Sequence, residues 1–436
     1  MSFFQIGIVG FFVIAIVFGV LIIGGFIPGI GGSGVSIKPM PVVVWGTFPG
    51  AKISSVFNNM NTIVGAPYRL SYVEKRPETF TKELLNALAS GEGPDIWIIS
   101  QDTLYENKDR LLLIPFTSIS ERSFVDVFAD EATLFIKKPR GSSSDKGGIY
   151  ALPIAIDPIV LYSNKDILSS AGVPTLPITW NEFITTAEKV TVKDARGNVA
   201  VSGAALGEAR NVKNAKEILS TLILQTGNKI VDSEDFDVTM DDSSFDGPSS
   251  ASKAVEFYVS FSNPSKTSYS WNRSLTDSLS MFTQNKLAFY FGYASEYQGI
   301  KSKNPHLNFD VSSVPQTLDG PIKTTQGRIY AFAVSKLSKN INSAVPAVLD
   351  IAKEDLASLF DLAPARRDLL SKGSTNLVSS VFFHSAIMSR GWIEPDSKES
   401  DSIFGNFIES SATGRARFSE ASAVAANELK RAFGNR

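Results

Sequence analysis

Between Pro41 and Ser100 three short apolar runs alternate with two amphipathic ones, and this alternation restricts the fold more than any other feature of the chain. Pro41-Val42-Val43-Val44-Trp45-Gly46 is apolar at every position up to its closing glycine, as a strand buried on both faces must be. A helix is predicted from Lys52 to Val64. Tyr68 to Val73 alternates as a second strand, and Phe80, Leu84 and Leu88 then recur every fourth residue until Ser90-Gly91 stops the helix. Gly93-Pro94-Asp95-Ile96-Trp97-Ile98-Ile99-Ser100 supplies a third buried strand. Strand, helix, strand, helix, strand is the pattern of a parallel sheet with right-handed crossovers, whose ligands lie beyond the carboxyl ends of the strands. Positions just after Trp45 and around Ser100 are therefore the first places to look for a site.

Residues 137–148 read as a loop, and order resumes at Ile149-Tyr150-Ala151-Leu152-Pro153-Ile154. Thr179-Trp180-Asn181-Glu182 fits a capping box, with Thr179 as N-cap and Glu182 three residues on, so a helix is predicted from Trp180 to about Val190. Leu219–Leu224, Ser249–Phe261 and Ser274–Phe282 read as further helices. Leu287–Gly292 and Arg328–Val334 read as strands, and nearly everything after Ala344 as helical. No repeat of fixed period is present.

The first thirty residues are of another kind. From Phe3 to Phe26 the only strongly polar side chain is Gln5, and at 1.5 Å per residue such a run spans the ~30 Å hydrocarbon core of a bilayer. Residues 1–30 are read as one N-terminal transmembrane helix. A secretory signal is the competing reading, but its apolar region runs only about 7–15 residues behind a positive start, whereas no Lys or Arg precedes Lys38. Gly31, Gly32, Ser33 and Gly34 make residues 31–40 a flexible tether, although such small residues also suit a peptidase. Lys38, taken alone, points weakly to a cytoplasmic body.

Composition removes several functions. With 42 basic against 44 acidic residues the net charge is −2, which gives no general attraction to nucleic acid. Cysteine is absent and His306 and His384 are the only histidines, so thiol nucleophiles, disulfides, thiolate zinc sites and lipid-modified N-termini are excluded and histidine-rich metal sites nearly so. No Gly-x-Ser-x-Gly elbow appears, and no glycine-rich phosphate loop. The acidic stretch Asp232–Asp246 lacks the central glycine and closing Glu of an EF-hand and reads as a solvated hairpin. Lys137, Lys138 and Arg140 are too few for a nucleic-acid surface, and His384 reads as a packing residue of a helix.

Six short pieces in sequence order carry a resemblance: Gly91-Glu92-Gly93-Pro94-Asp95-Ile96; Tyr150-Ala151-Leu152-Pro153 with Leu161 to Leu168; Thr179 to Phe183; Phe282 to Phe289; Arg328 to Val334; and Ala363 to Arg367 with Ala412-Thr413-Gly414-Arg415. Together they resemble the family 1 extracellular solute-binding proteins, the binding subunits of ABC importers typified by maltose-binding protein. The resemblance implies an α/β, two-lobed, periplasmic-binding-protein-like fold with hinge strands, here preceded by the transmembrane helix. A bilobal domain would occupy residues 41–436, with lobe one at about 41–153 and 333–360 and lobe two at about 154–332 and 361–436. It further implies a monomeric binding protein that is not an enzyme. Its partners would be a small solute, most simply a saccharide, and ABC permease subunits, with no cofactor and no nucleic acid. The body would then lie outside the membrane, overruling Lys38, and the missing lipid-attachment cysteine favours display on the membrane through the N-terminal helix.

A saccharide cleft needs carboxylates and amides for hydroxyl groups and flat aromatics for ring faces. By position in the family pattern, Ser100, Gln101 and Asp102 follow the third strand and Asp157 stands where the family often places a carboxylate. Trp45, Thr47 and Phe48 follow the first strand, and Tyr293 and Ser295 follow the aromatic strand. Trp271, Tyr290 and Tyr330 read first as core aromatics and second as cleft faces, and Trp271 and Tyr330 join the candidate set. Asp102 and Asp157 also suit helix caps. Glu208 and Arg210, in a loop, are weaker candidates. The alternatives in function are an anchored glycoside hydrolase working through two carboxylates, and a binding protein that signals to a sensor.

Overall fold

The computed structural model describes residues 38–139, 146–242, 248–318 and 320–434. The expected transmembrane segment lies outside these residues, as does residue 31–37 of the tether. Among the described residues no helix is long and apolar enough to cross a membrane.

The predicted alternation builds the first half of the molecule. β1 (Met40–Gly46) pairs in parallel with β2 (Tyr68–Glu74) on one side and β3 (Ile96–Ser100) on the other. The crossovers are α1 (Gly50–Met60) and α2 (Pro77–Ser90). Val42 and Val44 are buried along with Ile53 and Phe57 of α1 and Leu84 and Leu88 of α2. Pro77, with no amide to waste, opens α2, and Gly91 closes it at φ 73°, a left-handed turn that costs glycine little. α1 ends before the predicted Val64 because Asn61 turns its side chain to β2: its amide accepts from Leu70 N at 2.7 Å and donates to Leu70 O at 2.9 Å.

Two long strands join this half to the second. β4 (Leu152–Asn164) is buried along its whole length, and β8 (Thr325–Val334) runs antiparallel to it. Residues 330–334 of β8 also pair with β3, while residues 159–163 of β4 pair with β6 (Leu287–Tyr293) and 160–164 with β7 (Phe309–Ser313). β5 (Val199–Ala204) follows in the order β2-β1-β3-β8-β4-β6-β5, and the two-residue strand Val192–Lys193 pairs beyond it. Each long strand therefore serves both halves, and β4 changes partner between Pro158 and Ile159, where the two halves meet.

Around the second half lie α4 (Trp180–Val190), α5 (Ala215–Gln225), α6 (Ser250–Ser260), α7 (Ser397–Ala412) and α8 (Phe418–Gly434), while α3 (Gln101–Asn107) leads out of β3. The capping box at Thr179 forms as the spacing predicts: Thr179 Oγ1 accepts from Glu182 N, and the Glu182 carboxylate accepts from Thr179 N and Ile178 N. Aromatic rings pack this half. Trp180 stacks on Phe291 with ring centroids 5.8 Å apart, and Phe183 lies 5.0 Å from Phe289. Four expectations shift. The helix predicted from Ser274 starts at Ser278, because Asp277 caps it by accepting from Ser280 N at 3.0 Å. The C-terminal region also contains two short strands, Ala363–Pro364 on β4 and Ser389–Arg390 on β8. Asp241, in the stretch read as solvated, accepts from Ser249 Oγ and Ser422 Oγ and so ties that stretch to α8, while His384 is exposed.

Candidate functional site

Arg328 closes the polar start Thr325-Gln326-Gly327 of β8 and precedes its apolar run Ile329–Val334, and the site is built around it. Its Cα partner across the two strands is Asp157. Directly opposed residues of an antiparallel pair project to the same face, so both side chains enter the same space. Arg328 Nε donates to Asp102 Oδ2 at 2.9 Å, and its guanidinium lies 4.6 Å from the centroid of the Tyr293 ring. This is the arrangement a planar cation favours, one edge on a carboxylate and one face on an aromatic.

The chain positions Asp102 through the turn from β3 into α3. Ser100 caps α3 in a box with Thr103, which places Asp102 in the first helical turn, and the Ser100 hydroxyl donates to Asp102 Oδ1. Gln101 clamps this turn to β8: its Oε1 accepts from Ile329 N at 2.8 Å and its Nε2 donates to Gly327 O at 3.3 Å. On the opposite side Asp157 Oδ1 accepts from Ser295 N at 2.9 Å, while Oδ2 is buried with no partner. Tyr330, also on β8, meets the edge of Phe48 at 5.1 Å, and Phe48 stacks on Phe360 at 4.4 Å.

The two aspartates differ in charge state for clear reasons. Burial pushes Asp102 up, but the Arg328 charge, the Ser100 hydroxyl and Lys216 outweigh it and hold Asp102 below the usual aspartate value. Burial also pushes Asp157 up, and here the Ser295 contacts and the more remote influence of Arg328 are too weak, so it rises to about 6.

Lys216, in the first turn of α5, extends the same charged region. It lies 2.8 Å from Glu394, 2.7 Å from Asp401 and 3.9 Å from Glu217. Burial disfavours its ammonium, but these three carboxylates more than restore it, so Lys216 stays charged. One cation cannot satisfy all three. Glu394, 3% exposed, is pushed up to about 8 by burial despite Lys216, with Asp102 adding to the rise. Beside this group opens a cavity of about 280 Å³ lined by Asn214, Lys216, Glu217, Asp401 and Gly405.

Glu131 is a third buried carboxylate with a raised value, after Asp157 and Glu394. Neither of its oxygens has a hydrogen-bond partner, and a Cβ placed on Gly391 would lie 2.7 Å from Oε1. Burial raises it to about 7; the Ser389 hydroxyl, close by, lowers it without completing a hydrogen bond. Glu131 also lines a cavity of about 410 Å³ with Arg390, Trp392 and Leu224.

The structure thus gathers Phe48, Ser100, Gln101, Asp102, Asp157, Tyr293, Ser295 and Tyr330 around Arg328. Among the described residues no hydrogen bond, ion pair or ring contact joins Trp45, Thr47 or Trp271 to that group. Trp45 carries the Lys75 ammonium 3.8 Å above its ring, Thr47 is half-buried beyond β1, and Trp271 is wholly buried with Nε1 donating to Asn211 at 3.0 Å. Sequence reasoning missed Arg328, Lys216, Glu394 and Glu131. A charge opening the apolar run Ile329–Val334 was a usable signal for the first; the other three carry no periodic mark.

Comparison with known proteins now has a geometry to meet. Residues 72–349 match the family of bacterial extracellular solute-binding proteins. No curated protein matches the chain. Among solved structures, the fold is similar to a cyclo/maltodextrin-binding protein in complex with maltotetraose, with a TM-score of 0.70 and 20% identity over 90% of this chain and 97% of that one. It is also similar to the cyclic α-maltosyl-1,6-maltose binding protein of Arthrobacter globiformis, with a TM-score of 0.71 and 17% identity over 92% and 100%. A third similar structure is an extracellular solute-binding protein of Staphylococcus aureus in complex with maltose, at 0.67 and 15% over 90% and 98%. At these identities the structural likeness establishes the two-lobed α/β fold.

Proposed function

The chain belongs to the bacterial extracellular solute-binding proteins, and on that premise we propose that it captures a saccharide between its lobes and delivers it to the permease of an ABC importer. Lobe one takes in about 41–153 and 333–360 and lobe two about 154–332 and 361–436, with β4 and β8 as the hinge. The apolar segment Phe3–Phe26 holds the body on the outer face of the membrane.

The Arg328 group is the observation that carries this reading. Side chains from both sides of the hinge converge there: Asp102 from the turn after β3, Asp157 and Arg328 from the crossing strands, and Tyr293 and Ser295 from the end of β6. A saccharide needs charged oxygens and amides at its hydroxyl groups and flat rings at its faces. Asp157 Oδ2 supplies an unused acceptor, and Phe48, Tyr293 and Tyr330 supply rings. A solute that bonds to both lobes at once binds the closed arrangement better than the open one, and that difference is what drives closure. Trp45, Thr47 and Trp271 stay in the proposed contact set as residues that reach the solute only if the lobes move. The saccharides in the similar solved structures support the choice of ligand class.

One observation favours a second reading. A low Asp102 beside a raised Asp157 has the form of the base and acid of a glycoside hydrolase. A thermal-shift screen against sugars, oligosaccharides, amino acids, peptides and polyamines, followed by product analysis, separates the two. A ligand at ~100 times its dissociation constant adds about 2.7 kcal/mol to stability, a visible shift. A saccharide that raises the midpoint and stays intact supports capture. A saccharide that is cleaved replaces capture with hydrolysis, and no response to any saccharide overturns the ligand class.

A further inference from the structure

The carboxylates of this cleft outnumber its cations. Arg328 is committed to Asp102. Among the described residues Lys216 alone faces Glu394, Asp401 and Glu217, and Asp157 has no basic side chain within ion-pair distance. The nearby acids that do have partners spend them elsewhere: Glu296 on Lys213 at 2.7 Å and Glu208 on Arg273 at 3.3 Å. Five carboxylates therefore face two cations.

Acidic residues often gather on protein surfaces, where water compensates them and nothing follows. Here Asp157 is 1% exposed and Glu394 3%, so water cannot do so. Asp157 adds an independent observation, since its Oδ2 is buried without a partner and its side chain projects to the face on which Arg328 meets Asp102 and Tyr293. A neutral hydroxyl reaching Oδ2 satisfies a hydrogen bond but leaves the charge excess untouched. A cationic donor satisfies both. A metal ion is a poor answer, because it needs several carboxylates converging on one point, and among the described residues no group of three or more metal-ligating side chains is so arranged. An ammonium group asks only for directed acceptors: Asp157 Oδ2 is one, and Glu217 and Asp401 wall a separate cavity beside Lys216.

We propose that the solute taken by this cleft is a saccharide bearing a protonated amine, an amino sugar or amino-sugar oligomer, in preference to its neutral counterpart. This rests on the saccharide reading above and narrows it. The amine supplies the missing positive charge near Asp157 and the Lys216 group, and the hydroxyl groups and ring faces use Asp102, Tyr293 and Phe48 as before.

The test is calorimetric titration of the full chain at pH 7 with glucosamine, galactosamine, mannosamine and glucosamine oligomers, against the N-acetylated and the 2-hydroxyl form of each. At least one amine form is expected to bind tenfold or more tightly than both of its neutral forms. That preference is expected to fall to about twofold or less in Asp157→Asn, and to weaken in Glu217→Gln, at the wall of the cavity beside Lys216. Each variant removes a carboxylate charge without removing volume, so neither should impair folding, and a melting curve checks this. Neutral forms binding as tightly as amine forms overturns the inference and leaves saccharide capture standing. Spermidine binding while every saccharide fails keeps the charge requirement and overturns the saccharide. Failure of every compound overturns both, and a preference that survives in both variants overturns the assignment to these carboxylates.

Discussion

Arg328 on β8 and Lys216 on α5 both lower Asp102, yet their surroundings are built on different terms. Arg328 meets one carboxylate at 2.9 Å, rests on the Tyr293 ring and is 27% exposed, and its partner Asp102 is held below the ordinary aspartate value. Lys216 is 6% exposed and is shared by three carboxylates, and its nearest buried partner, Glu394, is driven the other way, to about 8. The difference shows that a cation stabilises the charge of its neighbour only when it is not divided. A one-to-one pair settles as two charges, whereas a buried three-to-one group settles by leaving a proton on one acid.

Removing Lys216 breaks this comparison most severely. Lys216→Met leaves Glu394 buried beside Asp401 and Glu217 with no cation, and breaking a buried pair from one side costs about 3–5 kcal/mol. Urea denaturation measures it, and the double variant Lys216→Met/Glu394→Gln is expected to recover more than half of the loss. A double variant as unstable as the single one shows that packing of the lysine stem, not charge, dominates. Arg328→Met comes next, at about 2–3 kcal/mol: Asp102 loses its partner but keeps the Ser100 hydroxyl and the more remote Lys216 charge. Asp102 should then titrate upward, a change that carboxyl NMR reads directly.

The acidity of the folded chain sharpens the same contrast. Asp157, Glu131 and Glu394 keep their protons up to about 6, 7 and 8, whereas the unfolded chain releases them near the ordinary carboxylate values of 3.8 to 4.5. The folded state therefore binds more protons across this window, and stability falls as pH rises from about 4 toward 8, by ~1.4 kcal/mol per pH unit for each group between its two values. Asp102 acts in the opposite sense, its contribution being present above the ordinary aspartate value and lost as pH falls through its lowered one. Denaturation midpoints across pH 5 to 8 are expected to decline, and Glu394→Gln to flatten the decline between 7 and 8. A midpoint that climbs over that interval means that Glu394 is ionised in the folded chain.

Much of this frame was legible in the sequence because it rests on local rules. The apolar runs at Pro41–Gly46 and Ile96–Ser100, the Thr179 capping box and Gly91 each form as their spacing predicts. Ser100, Asp102 and Tyr293 could be proposed because they lie at or just after strand ends, where an α/β sheet presents its side chains, whereas Asp157, inside β4, came from the family pattern. The pairings of the cations were not legible. Arg328 meets Asp102 across 226 positions and Lys216 meets Glu394 across 178, and such a pairing is decided by tertiary packing, which no window of sequence contains. Trp271 follows its first reading as a core aromatic: it is wholly buried and its single polar atom is satisfied by Asn211.

The smallest effect comes from a pair that looks as good as Arg328 and Asp102. Arg210 grips Glu409 with Nη2 at 2.8 and 3.0 Å from its two oxygens and Nε at 3.3 Å, a closer set of contacts than Arg328 makes, but its side chain is 75% exposed. Water already solvates both charges before they meet, so Arg210→Ala should cost about 0.5 kcal/mol or less and leave the pH profile of stability unchanged. Raising the salt concentration should shrink even that. If Arg210→Ala instead costs as much as Arg328→Met, then contact geometry governs these pairs, and burial does not explain why Arg328 and Lys216 differ.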